Sequence, residues 1–236
     1  MFQPPATANP TSTDVESLLL LQRRLVYEVS GDPESAAIVF CDHPRGITLG
    51  REASRLHVRY TEAELVAKRY PLHWVARGGG AMLHLPGQIA CYPILPLQAW
   101  GISPAKYVRI LAETVAEVAE HFGVKVELED SSPALRVGTR RIGSIGAAVR
   151  QGVSLYGVVL NVDPDLEDFR RIDCDCDPHP MTSLQRESPH RLRLQSVQQR
   201  FLGALASRLG LRGESPVYQR PVIIIPMRRH AYSERY

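Results

Sequence analysis

Nothing in this chain is apolar for long enough to cross a bilayer as a helix. The longest strongly apolar stretch, Val222-Ile223-Ile224-Ile225, is four residues, whereas a spanning helix needs about 20. A basic region followed by an apolar one is also missing near the N-terminus, so the expectation is a cytoplasmic protein with no membrane association. Cysteine is scarce, four in 236 residues, which argues against a disulfide framework and for a reducing compartment. Net charge is low, +3, and the arginines are dispersed along the chain, which argues against nucleic acid as a partner while leaving room for an acidic protein. Internal repeats and low-complexity linkers are absent as well.

What is present is enough apolar residue, 44% of the chain, to bury one substantial core. Residues 1–12 have no apolar periodicity and read as a disordered tail, 13–225 as a single domain, and 226–236 as a basic C-terminal tail. Thr13 and Glu16 form a capping-box pattern ahead of Val15, Leu18, Leu19 and Val26, which predicts a helix to about Glu28. Ala36–Cys41 reads as a buried strand, and Ile47–Arg51 as a short extended piece after the His43-Pro44-Arg45-Gly46 turn. Ser103 and Pro104 open a second helix with Val108, Leu111, Val115, Val118 and Phe122 on one face, closed by Gly123. Val124–Leu128, Arg140–Val149 and Val153–Val162 have the alternation of strands, with a hairpin turn at Arg150-Gln151-Gly152. A third helix carries Val197, Phe201, Leu205 and Leu209, and a last strand lies near Val222–Ile225. Strands outnumber helices and several are joined by short turns, so the fold class is α/β of the α+β kind, a mixed β-sheet flanked by helices.

The densest chemical signal is Arg77-Gly78-Gly79-Gly80-Ala81-Met82-Leu83-His84-Leu85-Pro86-Gly87-Gln88. Glycines admit close backbone approach to a ligand, while Arg77 and His84 supply a fixed charge and a titratable donor. The bland alternative is a strand-turn-strand hairpin in which the glycines serve only the turn. Cys41 and Cys91 sit in apolar runs and read as small buried hydrophobes. Cys174 and Cys176 differ, because they alternate with Asp173, Asp175 and Asp177 in a polar stretch.

Read with Arg141-Ile142-Gly143-Ser144-Ile145-Gly146, Leu160-Asn161-Val162-Asp163-Pro164-Asp165-Leu166, Thr48-Leu49-Gly50-Arg51 and Met181-Thr182-Ser183-Leu184, the cradle resembles the octanoyltransferases of lipoate synthesis. The blocks fall in the family's order and span roughly Thr13 to Leu184. The resemblance implies the biotin and lipoate protein ligase fold and an acyltransferase reaction. Octanoyl would leave acyl carrier protein, rest on an enzyme cysteine as a thioester, and pass to a lysine of a lipoyl domain. Acceptors so implied are the E2 subunits of 2-oxoacid dehydrogenases or the H protein of glycine cleavage. No cofactor, metal or nucleotide is implied. By the same resemblance Gly78, Gly79, Gly80, Ala81, Met82 and Leu83 would line the octanoyl slot, with Arg77 and His84 beside it. The backbone of Ser144, Ile145 and Gly146, and of Gly157, Val158 and Val159, would hold the acyl chain and thioester.

Two departures bear on catalysis. Arg141 stands where the family has its catalytic lysine; a guanidinium keeps the charge but, with a pKa above about 12, moves no proton. The family's cysteine falls on Asp175 when counted from Phe169 and on Cys174 when counted back from Thr182, so Cys174 is preferred as nucleophile over Cys176. Met82, Leu83, Leu85 and Tyr156 are smaller departures, with Leu83 and Leu85 placed to narrow the acyl slot. Two rival readings stand beside transfer. One is an impaired paralogue that binds lipoyl domains or acyl carriers without transfer; the other is a zinc site from Cys174, Cys176, His179 and His190. His43, His57, His73 and His121 are assigned to structure or solvent.

Overall fold

The structure, a computed structural model, describes residues 15–129, 132–213, 217–219 and 222–229. The first predicted helix is α1 (Val15–Ser30), whose inner face buries Leu18, Gln22, Leu25, Val26 and Val29; the expected cap at Thr13 lies outside the described residues. Strand β1 (Ser35–Cys41) follows, then β2 (Gly46–Leu49), helix α2 (Glu62–Lys68), β3 (Leu72–Trp74), β4 (Ala81–His84) and β5 (Gln88–Ile94). Helix α2 went unread in the sequence, although Thr61 and Glu64 close a reciprocal capping box at its start.

Helix α3 (Pro104–His121) begins as predicted, with the Ser103 hydroxyl accepting from the Lys106 N–H and Pro104 in the first turn. Gly123 adopts φ 78°, and the Val124 N–H returns to the Ala119 carbonyl to close the helix end. That use of Val124 shortens the strand expected at Val124–Leu128 to β6 (Glu127–Glu129). Beyond it come β7 (Ser132–Val137), β8 (Arg140–Arg150) and β9 (Val153–Asn161), with Gln151 and Gly152 both at positive φ in the predicted hairpin turn. Helices α4 (Leu184–Glu187) and α5 (Leu194–Leu209) precede β10 (Leu211–Gly213), β11 (Val217–Gln219) and β12 (Val222–Arg229). The last strand thus runs four residues into the stretch expected as a basic tail.

Nine strands form an antiparallel sheet in the order β10-β12-β1-β5-β9-β8-β7-β6, with β11 also on β12. Period-two alternation decides its faces. Ala36, Ile38 and Phe40 pack toward α3 and α5, while Ala37, Val39 and Cys41 pack toward α1. Each large side chain buried this way contributes roughly 1.5–3 kcal/mol. A second sheet, β3-β2-β4, pairs β2 with β3 in parallel and with β4 antiparallel. The glycine-rich segment is therefore not a hairpin: β4 and β5 are consecutive but belong to different sheets, split at Gly87, whose φ is 92°. Among the described residues no helix is long and apolar enough to cross a membrane.

Candidate active site

The glycine-rich loop is held at every step by its backbone. Gly78 N–H donates to the Ala147 carbonyl (2.9 Å), Gly79 N–H to Glu52 Oε1 (3.1 Å) and Gly80 N–H to Asp175 Oδ1 (3.3 Å). A side chain at Gly80 would begin 2.7 Å from the Cys176 sulfur and backbone nitrogen, so only glycine lets the two loops meet. Arg77 is buried, with Nη2 donating to the Thr48 carbonyl (3.1 Å) and hydroxyl (3.0 Å), and its stem lies across Gly146.

Behind Arg77 lies a polar chain that the sequence only half revealed. His84 Nε2 is 2.9 Å from Thr48 Oγ1, its ring lies 4.3 Å from that of His43, and His43 Nε2 is 2.5 Å from the Tyr92 hydroxyl. Burial pushes the His43 pKa down to about 4, and burial followed by the charges of His43 and Arg77 pushes that of His84 well below its ordinary value. Both rings are neutral, and each leaves Nδ1 without a partner. His43, His84 and Gln22 line a small cavity of about 20 Å³, together with Arg77, Met82, Gly146, Gly157 and Val159. That is room for about one water molecule. His43, assigned to structure or solvent from sequence, thus belongs to the site cluster; its proximity in sequence to Thr48 was the available signal.

Strand alternation splits the predicted octanoyl slot. Met82 and His84 face the small cavity, whereas Ala81, Leu83 and Leu85 point into a separate core with Ile47, Leu49, Phe169 and Cys174. Leu83 and Leu85 therefore do not narrow the slot as expected. Val158 and Val159 stand in β9 between β5 and β8, paired on both sides, so their backbones are committed to the sheet and not to an oxyanion. Val158 packs in the main core, and Ser144 is buried and lines neither opening.

A larger cleft of about 750 Å³ opens beside the same loop. Gly78, Gly79, Arg51 and Glu52 form one wall, Val108 and Ala112 of α3 with Leu128 and Ala134 another, and Ile145 and Ala147 lie between. Arg141, Asp175 and Asp177 meet its deep side.

The cysteine loop reaches this cleft from well-secured ground. Asp168, in a short 3-10 turn, accepts from Lys68 Nζ (2.7 Å), Arg45 Nη1 (3.1 Å) and the Tyr70 hydroxyl, and Asp173 N–H donates to the His57 carbonyl (2.8 Å). Asp175 and Cys176 then take left-handed backbone, φ 53° and 60°, turning the two cysteines apart. Cys174 is 2% exposed, and burial followed by the Asp175 charge pushes its thiol up to about 12. Cys176 is exposed, with Sγ 3.2 Å from the Glu52 carbonyl oxygen. Partial burial and the carboxylates of Asp175 and Glu52 raise its pKa, against the lowering pull of Arg141.

Arg141 is 4% exposed and clamps this loop. Nη1 donates to the Cys174 carbonyl (2.8 Å) and lies 3.4 Å from Asp177 Oδ2, Nη2 meets Asp175 Oδ2 at 2.6 Å, and Nε–H has no partner. The four residues considered for zinc do not converge: Cys174 is buried, Cys176 faces Glu52, and His179 Nδ1 pairs with Asp177 Oδ1 at 2.5 Å. Among the described residues no three histidine, cysteine or acidic side chains are arranged to hold a metal ion.

Against known proteins, residues 14–206 match the model of the lipoyl protein ligase A/B catalytic domain. An octanoyltransferase of Desulfotalea psychrophila is 34% identical over 184 residues, covering 77% of this chain and 82% of the relative. A mitochondrial octanoyltransferase of Arabidopsis thaliana is 33% identical over 181 residues, 76% and 77% of the two chains. Among solved structures, a lipoate-protein ligase A bound with ATP shares the fold at a TM-score of 0.58 and 17% identity, covering 80% of this chain and 81% of that one. The bi-partite lipoate protein ligase of Thermoplasma acidophilum, described with its E2 lipoyl domain, gives 0.57 at 16% identity, covering 80% and 79%. With a family match over most of its length, a mixed α and β fold of the ligase type and octanoyltransferase relatives from a bacterium and a plant, this chain belongs to the lipoyl protein ligase A/B catalytic domain family.

Proposed function

We propose that this protein is an acyltransferase that moves an octanoyl group from acyl carrier protein to a lysine of a lipoyl domain, with Cys176 as the nucleophile. The observation that carries the reading is the position of Cys176: it is exposed, in a loop clamped by buried Arg141, between Asp175 and Asp177, which line the open cleft. Cys174, the preference from spacing, lacks access and has a thiol raised to about 12. The cleft lies within the roughly 300–1,000 Å³ of ordinary ligand pockets. Its apolar residues, Val108, Ala112, Leu128, Ile145 and Ala147, suit a medium-length hydrocarbon, whereas the small cavity does not have the volume for one.

In the first step the Cys176 sulfur attacks the donor carbonyl, the carbon–sulfur bond to the phosphopantetheine arm breaks, and the thiol proton leaves with the departing thiolate. In the second the acceptor lysine amine attacks the enzyme thioester, an amide bond forms, and the Cys176 thiol is regenerated. Arg141 moves no proton in either step. Its fixed charge favours the thiolate.

The test is intact-mass measurement after mixing with octanoyl carrier protein. An octanoyl adduct present in the wild type and in Cys174→Ala but absent in Cys176→Ala is expected, with transfer to a lipoyl domain or H protein on addition. Carrier binding without any adduct or acceptor modification would overturn the reading in favour of an impaired paralogue.

A further inference from the structure

Attack on an enzyme thioester needs a free amine, whereas a lysine side chain arrives at neutral pH as an ammonium with an ordinary pKa of about 10.4. One proton must therefore be taken from it at the cleft. Arg51, Arg109 and Arg141 line the cleft with fixed charges that accept no proton. Glu52 and Asp175 line it too, but each already accepts from the glycine-rich loop, and a carboxylate is a weak base for an ammonium.

The third carboxylate of the cleft, Asp177, differs because it holds a histidine. Its Oδ2 accepts from Arg136 Nη2 (2.9 Å) and lies 3.4 Å from Arg141 Nη1, while Oδ1 accepts the His179 N–H (3.0 Å) and lies 2.5 Å from His179 Nδ1. Burial works against the ionised form of Asp177, yet the two His179 donors, and then Arg141 and Arg136, hold the carboxyl below its ordinary range. An ionised carboxylate only accepts, so Nδ1 carries the proton of the neutral ring and Nε2 keeps a lone pair. A histidine base of acyl transfer is oriented in the same way, by a carboxylate on Nδ1.

Arg141 secures this histidine from both sides. Its guanidinium reaches Asp177 before it in the chain; beyond it, the Arg141 N–H donates to the Pro180 carbonyl (2.9 Å) and the Arg141 carbonyl accepts the Thr182 N–H (2.7 Å). Pro178 and Pro180 flank His179 and stiffen the segment. His179 lies three residues beyond Cys176, a backbone span of at most about 11 Å even when extended. Its side chain is 45% exposed, so a proton taken up there has a way out to solvent.

We propose that His179, oriented by Asp177, is the general base for the acceptor amine in the second half of the transfer. This role rests on the transfer reading above. His179 Nε2 takes one proton from the acceptor ammonium, and the freed amine nitrogen attacks the thioester carbonyl on Cys176. The carbon–nitrogen bond forms, the carbon–sulfur bond breaks, and a second proton of the amine ends on the sulfur, restoring the thiol. The imidazolium, paired with Asp177, then gives its proton to water. Ammonium and thioester are thus balanced by amide, thiol and one released proton.

The test starts from octanoyl-enzyme, loaded from octanoyl carrier protein and brought to equal adduct by intact mass in wild type, His179→Ala and His179→Gln. Each is mixed with a lipoyl domain or, separately, with hydroxylamine, a nucleophile already unprotonated at neutral pH, and loss of the adduct is followed with time. Transfer to the lipoyl domain is expected to fall about a hundredfold in both variants, while cleavage by hydroxylamine stays within about twofold of wild type. Added imidazole is expected to restore part of the transfer in His179→Ala. Transfer at the wild-type rate in both variants would overturn the role, as would an equal slowing with hydroxylamine, which marks a residue that only shapes the loop. Absence of any adduct in the wild type would instead remove the transfer reading, and this role with it, so the two failures are told apart.

Discussion

Arg141 and Asp175 are joined at 2.6 Å, so the cation at the deep side of the cleft is already matched by a carboxylate one residue before the exposed cysteine. The guanidinium also holds the Cys174 carbonyl, and so its first role is to fix the backbone of the cysteine loop. A lysine presents its three donors from one compact point charge, whereas the planar fork of arginine reaches carbonyl and carboxylate together from two separate nitrogens. Removing the side chain leaves Asp175, 13% exposed, without its cation and with only the Gly80 N–H to meet its charge. Arg141→Ala should therefore lose roughly 3 kcal/mol of unfolding free energy in denaturant titration. Arg141→Ala combined with Asp175→Ala should lose clearly less than the sum of the single variants; strict additivity would show that the pair is not coupled.

The two loop cysteines should separate cleanly in chemistry. Iodoacetamide is expected to label Cys176 in the native protein and Cys174 only after unfolding, because the latter is buried with its thiol raised to about 12. The Cys176 thiol is itself raised above its ordinary value of 9.0 by burial and by Asp175 and Glu52. The reactive form is the thiolate, so the labelling rate should still be climbing tenfold per pH unit between pH 7 and 9. A plateau below pH 8, measured by mass spectrometry of the labelled peptide, would mean that Arg141 dominates the local field.

Why spacing and exposure favour opposite sides of Asp175 is a matter of backbone geometry. Sequence counting treats residues as evenly spaced, but left-handed conformations at Asp175 and Cys176 reverse which side chain leaves the core. No residue-type signal announced this, since neither position is glycine. By contrast α3 and the β8–β9 hairpin were legible because cap, periodicity and turn residues agree locally. The placement of β4 and β5 in different sheets was not, because that choice is made by distant strands β1, β2 and β9. For the same reason the cradle could be located in sequence while its two sides could not be told apart.

Glycine substitutions test the loop contact directly. Gly80→Ala puts a methyl carbon 2.7 Å from the Cys176 sulfur and nitrogen and from Asp175 Cα, backbone that cannot step aside cheaply. Acyl-enzyme formation should fall at least tenfold. Gly203→Ala is the counterpart: it lies in α5, with nothing within 4 Å of the added carbon. That variant should gain about 0.5–1 kcal/mol from helix propensity, seen as a higher denaturation midpoint with activity unchanged.

Acid should weaken the fold in a window set by the histidine pair. His43 titrates near 4 when folded and His84 well below its ordinary value, while both bind protons near 6.5 once unfolded. Between those values the unfolded chain holds more protons than the native one, so unfolding free energy must decline as pH falls from 6.5 to 4. One proton of difference between the two states costs about 1.4 kcal/mol per pH unit, so His43 alone accounts for a loss of roughly 3 kcal/mol across the window. Carboxylates held low by their partners, Asp168 and Glu187 among them, add their losses from about pH 5 downward, as the unfolded chain's carboxylates begin to take up protons. Above about pH 5 the histidine contribution therefore stands alone. Replacing His43 with glutamine keeps a polar partner for the Tyr92 hydroxyl and removes one titrating ring, so the slope of stability against pH between 6.5 and 4 should drop by about one proton. Urea titrations at half-unit pH steps measure it, and an identical slope in wild type and variant would mean that His43 is already protonated in the native cluster.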